Sequence, residues 1–202
     1  MSEHRVEIVS RETVYKGYFR IDAYRLRHSL HAGGMSPELT REVFERGHAV
    51  AALLYDPDAD AVVLVEQFRI GAHSAGMPAW ELECVAGIIE DGETPEAVVR
   101  REAVEESGLT VGEVIPVARY LSSPGGSSET VEIFCGRIDS RGAGGIHGLP
   151  EEGEDIKVVV LPYTDLERMV FAGTIGNAMT LIAAQWLVLN RAEVRKLWPK
   201  RP

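Results

Sequence analysis

The chain has only two cysteines, Cys84 and Cys135, among 202 residues, and they stand far apart with no CxxC spacing. That excludes a disulfide framework and a cysteine-based zinc site, and leaves two buried reduced thiols as the simplest reading. Cations are in the minority as well, with 21 Lys and Arg against 31 Asp and Glu and a formal net charge of -10. Nucleic-acid backbones are held by clustered Lys and Arg, so no general nucleic-acid partner is expected. A small phosphorylated substrate stays compatible, because a divalent cation bound by carboxylates reverses the local sign of the field. No stretch approaches the roughly 20 apolar residues of a membrane span. The start MSEHRVEIVS has no apolar signal core, so a cytosolic protein without a membrane partner is expected.

What is present is a 45% hydrophobic chain of a length that fits one or at most two domains. From Val6 to about His31 it is rich in β-branched and aromatic residues and reads as two strands joined near Lys16-Gly17, followed by a turn at Gly33-Gly34. A third strand is expected over Thr40–Arg46, then HAVAALLYD, a turn at Pro57-Asp58 and the strand AVVLVEQF. Residues 80–93, WELECVAGIIEDGE, read as one strand running into a glycine-bearing loop. Thr94 as N-cap, Pro95 at the first helical position and Gly108 as terminator frame a helix. Three more strands are predicted near Val114–Leu121, Thr130–Ile138 and Ile156–Leu161. The segment RGAGGIHGLPEEGED, from Arg141 to Asp155, has too much glycine to pack as regular structure and reads as a functional lid or a disordered run. Thr164 with Glu167 resembles a capping box for a short helix, and Asn177 to about Leu197 reads as a long packed helix.

The chemistry concentrates on the framed helix. At about 100° per residue, Glu102, Glu105 and Glu106 share an arc of about 100°, in line with Val98 and Val99 one turn earlier. The i,i+4 pair Glu102/Glu106 repels by roughly 0.2–0.5 kcal/mol on an isolated helix, so something must compensate it. A solvated acidic face is the ordinary explanation. Its continuity with an apolar stripe and its position after a glycine loop favour a metal site instead, since carboxylate oxygens are the hard donors that Mg²⁺ or Mn²⁺ prefers.

Gly87, Glu93 and Arg101-Glu102-Ala103-Val104-Glu105-Glu106-Ser107-Gly108-Leu109 resemble the Nudix box at every defined spacing. Ala103 stands where a bulkier aliphatic residue is typical, which affects packing rather than metal chemistry. The resemblance continues through Arg41–His48, Glu66-Gln67-Phe68-Arg69, Ser123-Pro124-Gly125-Gly126, Gly145-Ile146-His147-Gly148-Leu149 and Glu152-Gly153-Glu154-Asp155, and is closest to the bacterial ADP-ribose pyrophosphatases. It implies an α+β protein of Nudix fold: an α/β/α sandwich around a mixed sheet, with an N-terminal antiparallel sheet. The implied division is a β-rich dimerisation subdomain over 1–47 and a Nudix hydrolase domain over 48–202, in a homodimer that exchanges its N-terminal sheets.

The implied activity is hydrolysis of the diphosphate of ADP-ribose to AMP and ribose 5-phosphate. A related alternative is a GDP-sugar or other nucleotide-sugar diphosphatase, and one of another class is a non-catalytic nucleotide sensor. By the same resemblance, two or three Mg²⁺ ions, with Mn²⁺ as the alternative, bind Glu102, Glu106, Glu154 and the carbonyl of Ala86. Glu105 is a further ligand or orienting group in the catalytic cluster. Glu152 is the general base, on a lid loosened by Gly144, Gly145, Gly148 and Gly153. Gly87, Glu93, Arg101 and Gly108 are structural. Arg41, Arg46 and Arg69 suit phosphate and ribose contacts through planar bidentate donors. Tyr18 and Phe19 offer rings to adenine, with ordinary strand packing as the competing reading. Glu42, Ile88, Ser123, Pro124, Gly125 and Glu129 complete the expected substrate lining. Trp80 and the six histidines carry no comparable signal.

Overall fold

The computed structural model describes residues 4–200, which fall into two compact units. One runs to His48 and takes in Tyr120–Thr130; the other comprises Ala49–Arg119 and continues from Val131.

In the first unit, β1 (Val6–Lys16), β2 (Arg20–His28) and β3 (Leu39–Glu45) form an antiparallel sheet in the order β1-β2-β3. Every residue of β1 is exposed, whereas β2 buries Asp22, which is 1% accessible. A buried carboxylate needs partners, and Asp22 accepts from Arg11, Arg20 and Thr13. These bonds, the one from Thr13 foremost, hold its pKa below the ordinary value.

The second unit is built on β4 (His48–Asp56) and β5 (Ala61–Phe68), which pair antiparallel. Both read as nearly continuous apolar runs because both faces are covered. Val50, Ala52, Leu54, Val63 and Val65 point to one side, where they pack with Val98, Val99 and Ala103. Burying each such valine contributes roughly 1.5–3 kcal/mol. On the other side, Tyr55 donates to Asp60, the carboxylate that Arg191 and Arg195 also hold. After β5 come a short helix α1 (Ile70–Ser74), β6 (Trp80–Glu83), β7 (Val85–Ile89), α2 (Pro95–Ser107), β8 (Val114–Leu121) and β9 (Thr130–Arg137). The chain ends with β10 (Ile146–His147), β11 (Ile156–Pro162), α3 (Tyr163–Ala172) and α4 (Ala178–Leu197). The sheet order is β10-β11-β5-β4-β9-β8, with β6 on β5 and β7 on β4. β4 and β9 run parallel, from Ala49 opposite Val131 to Tyr55 opposite Arg137, while β5 pairs antiparallel with β4, β6 and β11. The result is the α/β/α sandwich around a mixed sheet that the resemblance implied, with α2 on one face and α4 on the other. Cys84 and Cys135 are buried free thiols, and burial pushes Cys84 up to about 12.

Three local expectations are corrected. The expected strand at 80–93 is two strands broken at Cys84, because β6 and β7 pair with different partners. The glycine-rich segment does contain regular structure: β10 pairs with β11, and Pro150–Glu152 makes one 3-10 turn. The capping box is absent, since α3 already begins at Tyr163, with Pro162 as an N-cap that makes no side-chain bond, and Glu167 accepts from the Tyr163 hydroxyl instead. No helix among the described residues is long and apolar enough to cross a membrane.

Candidate active site

The local sequence explains how the acidic helix is set. Thr94 accepts from the Ala97 N–H, Pro95 occupies the first turn, and Gly108 closes α2 in the left-handed conformation with its N–H on Val104. Between these caps α2 buries Val98, Val99, Ala103 and Glu106. Ala103 is completely buried in the core, so the small side chain at the atypical box position lies at the contact with the sheet.

Glu106 is 3% accessible and accepts from the N–H of Ala86, on β7, at 3.1 Å. Burial pushes its carboxyl up to about 8, and the negative charges of Glu102 and Glu154 act in the same direction. Glu102 is raised to about 7, again chiefly by burial, with Glu105 and Glu154 adding to the shift and Arg101 opposing it. These carboxylates feel one another, so the structure brings Glu102, Glu105, Glu106 and Glu154 into one electrostatic neighbourhood beside β7. Gly87 leaves the space for it: a Cβ there would lie 1.9 Å from Oε1 of Glu102.

Arg101 is the countercharge. Its guanidinium meets Glu93 at 3.4 Å, Glu102 at 2.8 Å and Glu105 at 3.1 Å, and Glu93 also accepts from the N–H of Glu90. One cation thus ties the loop after β7 to the acidic face of α2. On α2's other flank, the Glu105 carbonyl accepts from the N–H of Gly148, and a Cβ on Gly108 would come within 2.8 Å of the His147 ring. His147 in turn bonds the Gly144 carbonyl at 2.9 Å, which requires the proton on Nε2. Glu154 accepts from the Leu149 N–H at 2.9 Å, and Glu152 stands exposed on the 3-10 turn.

The donor chemistry suits a divalent cation. Buried, mutually repelling carboxylates are the hard oxygen donors that Mg²⁺ takes, and the ion retains waters rather than demanding a protein cage. Among the described residues, no three His, Cys, Asp or Glu side chains stand close enough together to hold a metal ion, so these carboxylates would have to draw in around one.

Near the end of β5, Arg69 reaches Glu83 at 2.8 Å, and its charge favours the ionised form of Glu106. Ile88 is partly exposed on β7, at 39%. In the N-terminal unit, Tyr18, Phe19 and Phe44 form a chain of edge-to-face rings with centroids 4.8 and 5.0 Å apart. Arg46 lies over Phe19 and pairs with the buried Glu129 at 3.2 Å. Arg41 and Glu42 are exposed on β3, and Ser123, Pro124 and Gly125 on a turn whose Gly126 carbonyl accepts from the N–H of Phe44. Phe44, Glu83 and His147 were not singled out by the sequence, since each gains its meaning only from a partner distant along the chain.

A NUDIX domain model matches residues 45–178. An ADP-ribose pyrophosphatase of Escherichia coli (strain K12) is 50% identical over 193 residues, spanning 96% of this chain and 92% of that protein. A GDP-mannose pyrophosphatase of Enterobacter sp. (strain 638) is 37% identical over 152 residues, 74% of this chain and 78% of its own length. A solved structure titled as an ADP compounds hydrolase shares the fold at a TM-score of 0.71 and 18% identity, covering 98% of this chain and 97% of its own. With a family model over more than half of its length and the box carboxylates gathered on a capped helix, the chain belongs to the Nudix hydrolase superfamily.

Proposed function

We propose that the protein hydrolyses the diphosphate of ADP-ribose to AMP and ribose 5-phosphate. The observation that carries this reading is the gathered set Glu102, Glu105, Glu106 and Glu154 beside Gly87, in a chain half identical to a named ADP-ribose pyrophosphatase over nearly its full length. Nudix hydrolases generally use divalent metal ions. Glu102, Glu106, Glu154 and the Ala86 carbonyl would hold Mg²⁺, two or three ions in all, with Glu105 as a further ligand or orienting group. A cation held there supplies positive charge to the diphosphate oxygens and makes a water proton easier to remove.

The chain's own groups do the rest. Glu152 takes the proton of the attacking water as general base; its place on an exposed turn beside positive-φ Gly153 suits a group that approaches only when substrate is present. Arg69 offers a planar pair of donors to phosphate oxygens, and Ile88 packs against the substrate. Arg101 and Glu93 hold the scaffold, because a pairing that spans a loop and a helix fixes both. In the N-terminal unit Tyr18 and Phe19 present ring faces to adenine, Arg46 and Glu129 form a polar edge beside them, and Arg41, Glu42, Ser123, Pro124 and Gly125 complete the lining. The fully exposed β1 is consistent with a homodimer that exchanges N-terminal sheets, and the reading includes a cytosolic location. The GDP-mannose pyrophosphatase relative supports a second reading, turnover of GDP-sugars.

Purified protein with Mg²⁺ is to be given ADP-ribose and GDP-mannose in parallel, and the phosphate released after phosphatase treatment measured. Faster turnover of ADP-ribose is expected, and rapid loss of GDP-mannose with none of ADP-ribose would replace the first reading by the second. Glu152→Gln is expected to lower kcat by about 10²-fold or more with little change in substrate affinity. An unchanged kcat moves the base to another carboxylate.

A further inference from the structure

Glu83 is the last residue of β6 and is 3% accessible, yet it lies outside the box. Its carboxylate collects donors from three elements. Oε2 accepts from Nε of Arg69 at 2.9 Å and from Nε2 of Gln67 at 3.3 Å, and the Arg69 Nη2 lies at 2.8 Å; Oε1 accepts from Nδ2 of Asn177 at 2.8 Å. Asn177 is itself the N-cap of α4: its Oδ1 accepts from the Thr180 N–H at 3.0 Å, and the Thr180 hydroxyl accepts from the N–H of Cys84 at 2.9 Å. The carboxylate is therefore held by β5, by Arg69 just beyond it and by the start of α4, which Thr180 ties in turn to the backbone N–H of Cys84.

A core salt bridge contributes little to stability in itself, because desolvation offsets the attraction. The Arg69 side chain is not in the core, however. It is 43% exposed, so a flexible guanidinium that would otherwise sample many rotamers is held from behind by a fixed acceptor while its other face is open. The same guanidinium is felt by Glu106 on α2.

We propose that Glu83 is a positioning residue: it fixes the Arg69 guanidinium from β6 so that the free donors of that side chain face the diphosphate of the substrate in one preset orientation. The proposal rests on the reading of Arg69 as a phosphate contact and extends it to a residue that does not touch substrate. The advantage is entropic, since an arginine ordered before binding loses less freedom on binding.

Wild type, Glu83→Gln, Arg69→Ala and the double variant are to be assayed with ADP-ribose and Mg²⁺. Each single variant is expected to raise KM by about tenfold with a smaller change in kcat, and the double variant to add less than about twofold to Arg69→Ala, because coupled residues are not additive. Additive losses, or a Glu83→Gln variant with wild-type KM, overturn the proposal. If Glu83→Gln does not fold, Arg69→Lys decides: it keeps the charge but not the fork, so it should be nearly as impaired as Arg69→Ala, and a wild-type KM overturns the proposal. The ordering is also read without turnover, from the Nε–H resonance of Arg69 by NMR. A slowly exchanging signal in the wild type that is lost in Glu83→Gln is expected, and a wild-type signal that exchanges as fast as a surface arginine overturns the proposal. Absence of wild-type turnover of ADP-ribose sinks the substrate reading alone, and the resonance still decides whether Glu83 orders Arg69.

Discussion

Gly87 and Glu102 occupy one volume. A methyl group at Gly87 would fall 1.9 Å from Oε1, 2.3 Å from Cδ and 2.5 Å from Cγ of Glu102. All three atoms belong to the outer part of a flexible side chain, so Gly87→Ala has a way out that leaves the backbone in place: Glu102 swings away. The box glycine is thus a statement about where a carboxylate stands rather than about backbone freedom. Gly87→Ala is expected to lose activity by on the order of 10²-fold, as misplacement by about 1 Å does, while the thermal midpoint shifts little. Measuring kcat/KM beside a melting curve checks it. A large fall in the midpoint with activity retained per folded molecule would show that the contact serves the fold instead.

α2 was legible from its own sequence because its signals are local: a Thr-Pro start, a glycine end and an apolar stripe lie within fifteen residues of one another. The break between β6 and β7 was not, since continuity at Cys84 depends on which distant strands claim each half. Nor was Glu83, whose donors stand 14, 16 and 94 positions away. The glycine-rich segment lies between these extremes. Its composition spoke for irregularity, yet His147 seated on Gly108 and the Gly148 N–H on the Glu105 carbonyl fasten its first part to the end of α2. The anchoring divides the loop: residues 144–149 are held, and the turn carrying Glu152 projects beyond them. His147→Ala should therefore raise amide exchange across 144–154 and lower kcat on the order of tenfold, with the sheet's protection intact. Exchange across 144–154 no faster than in the wild type would show that the histidine is not the fastening.

Metal-free, the molecule holds three carboxyls whose pKa values burial has raised, Glu81, Glu102 to about 7 and Glu106 to about 8. Between the ordinary carboxylate range and those values, the folded chain binds more protons than the unfolded chain, so stability falls as pH rises through that window. The carboxylates with depressed values, Asp22, Asp56, Asp60 and Glu93, act in the opposite sense, but only at lower pH. The thermal midpoint of chelator-treated protein should accordingly drop from pH 5.5 to pH 8.5, and added Mg²⁺ should raise it more at the alkaline end, where the acidic groups are already ionised. A midpoint that is flat with pH, or an Mg²⁺ increment equal at both ends, contradicts this. The two cysteines of the sheet unit carry a quieter consequence. A thiol that is both sealed from solvent and held well above its normal ionisation is inert toward alkylating and oxidising agents as long as the sheet stays shut. Chemical ageing of Cys84 and Cys135 is thereby tied to the rare moments of opening, which makes the pair a cumulative clock of how often this sheet has come apart.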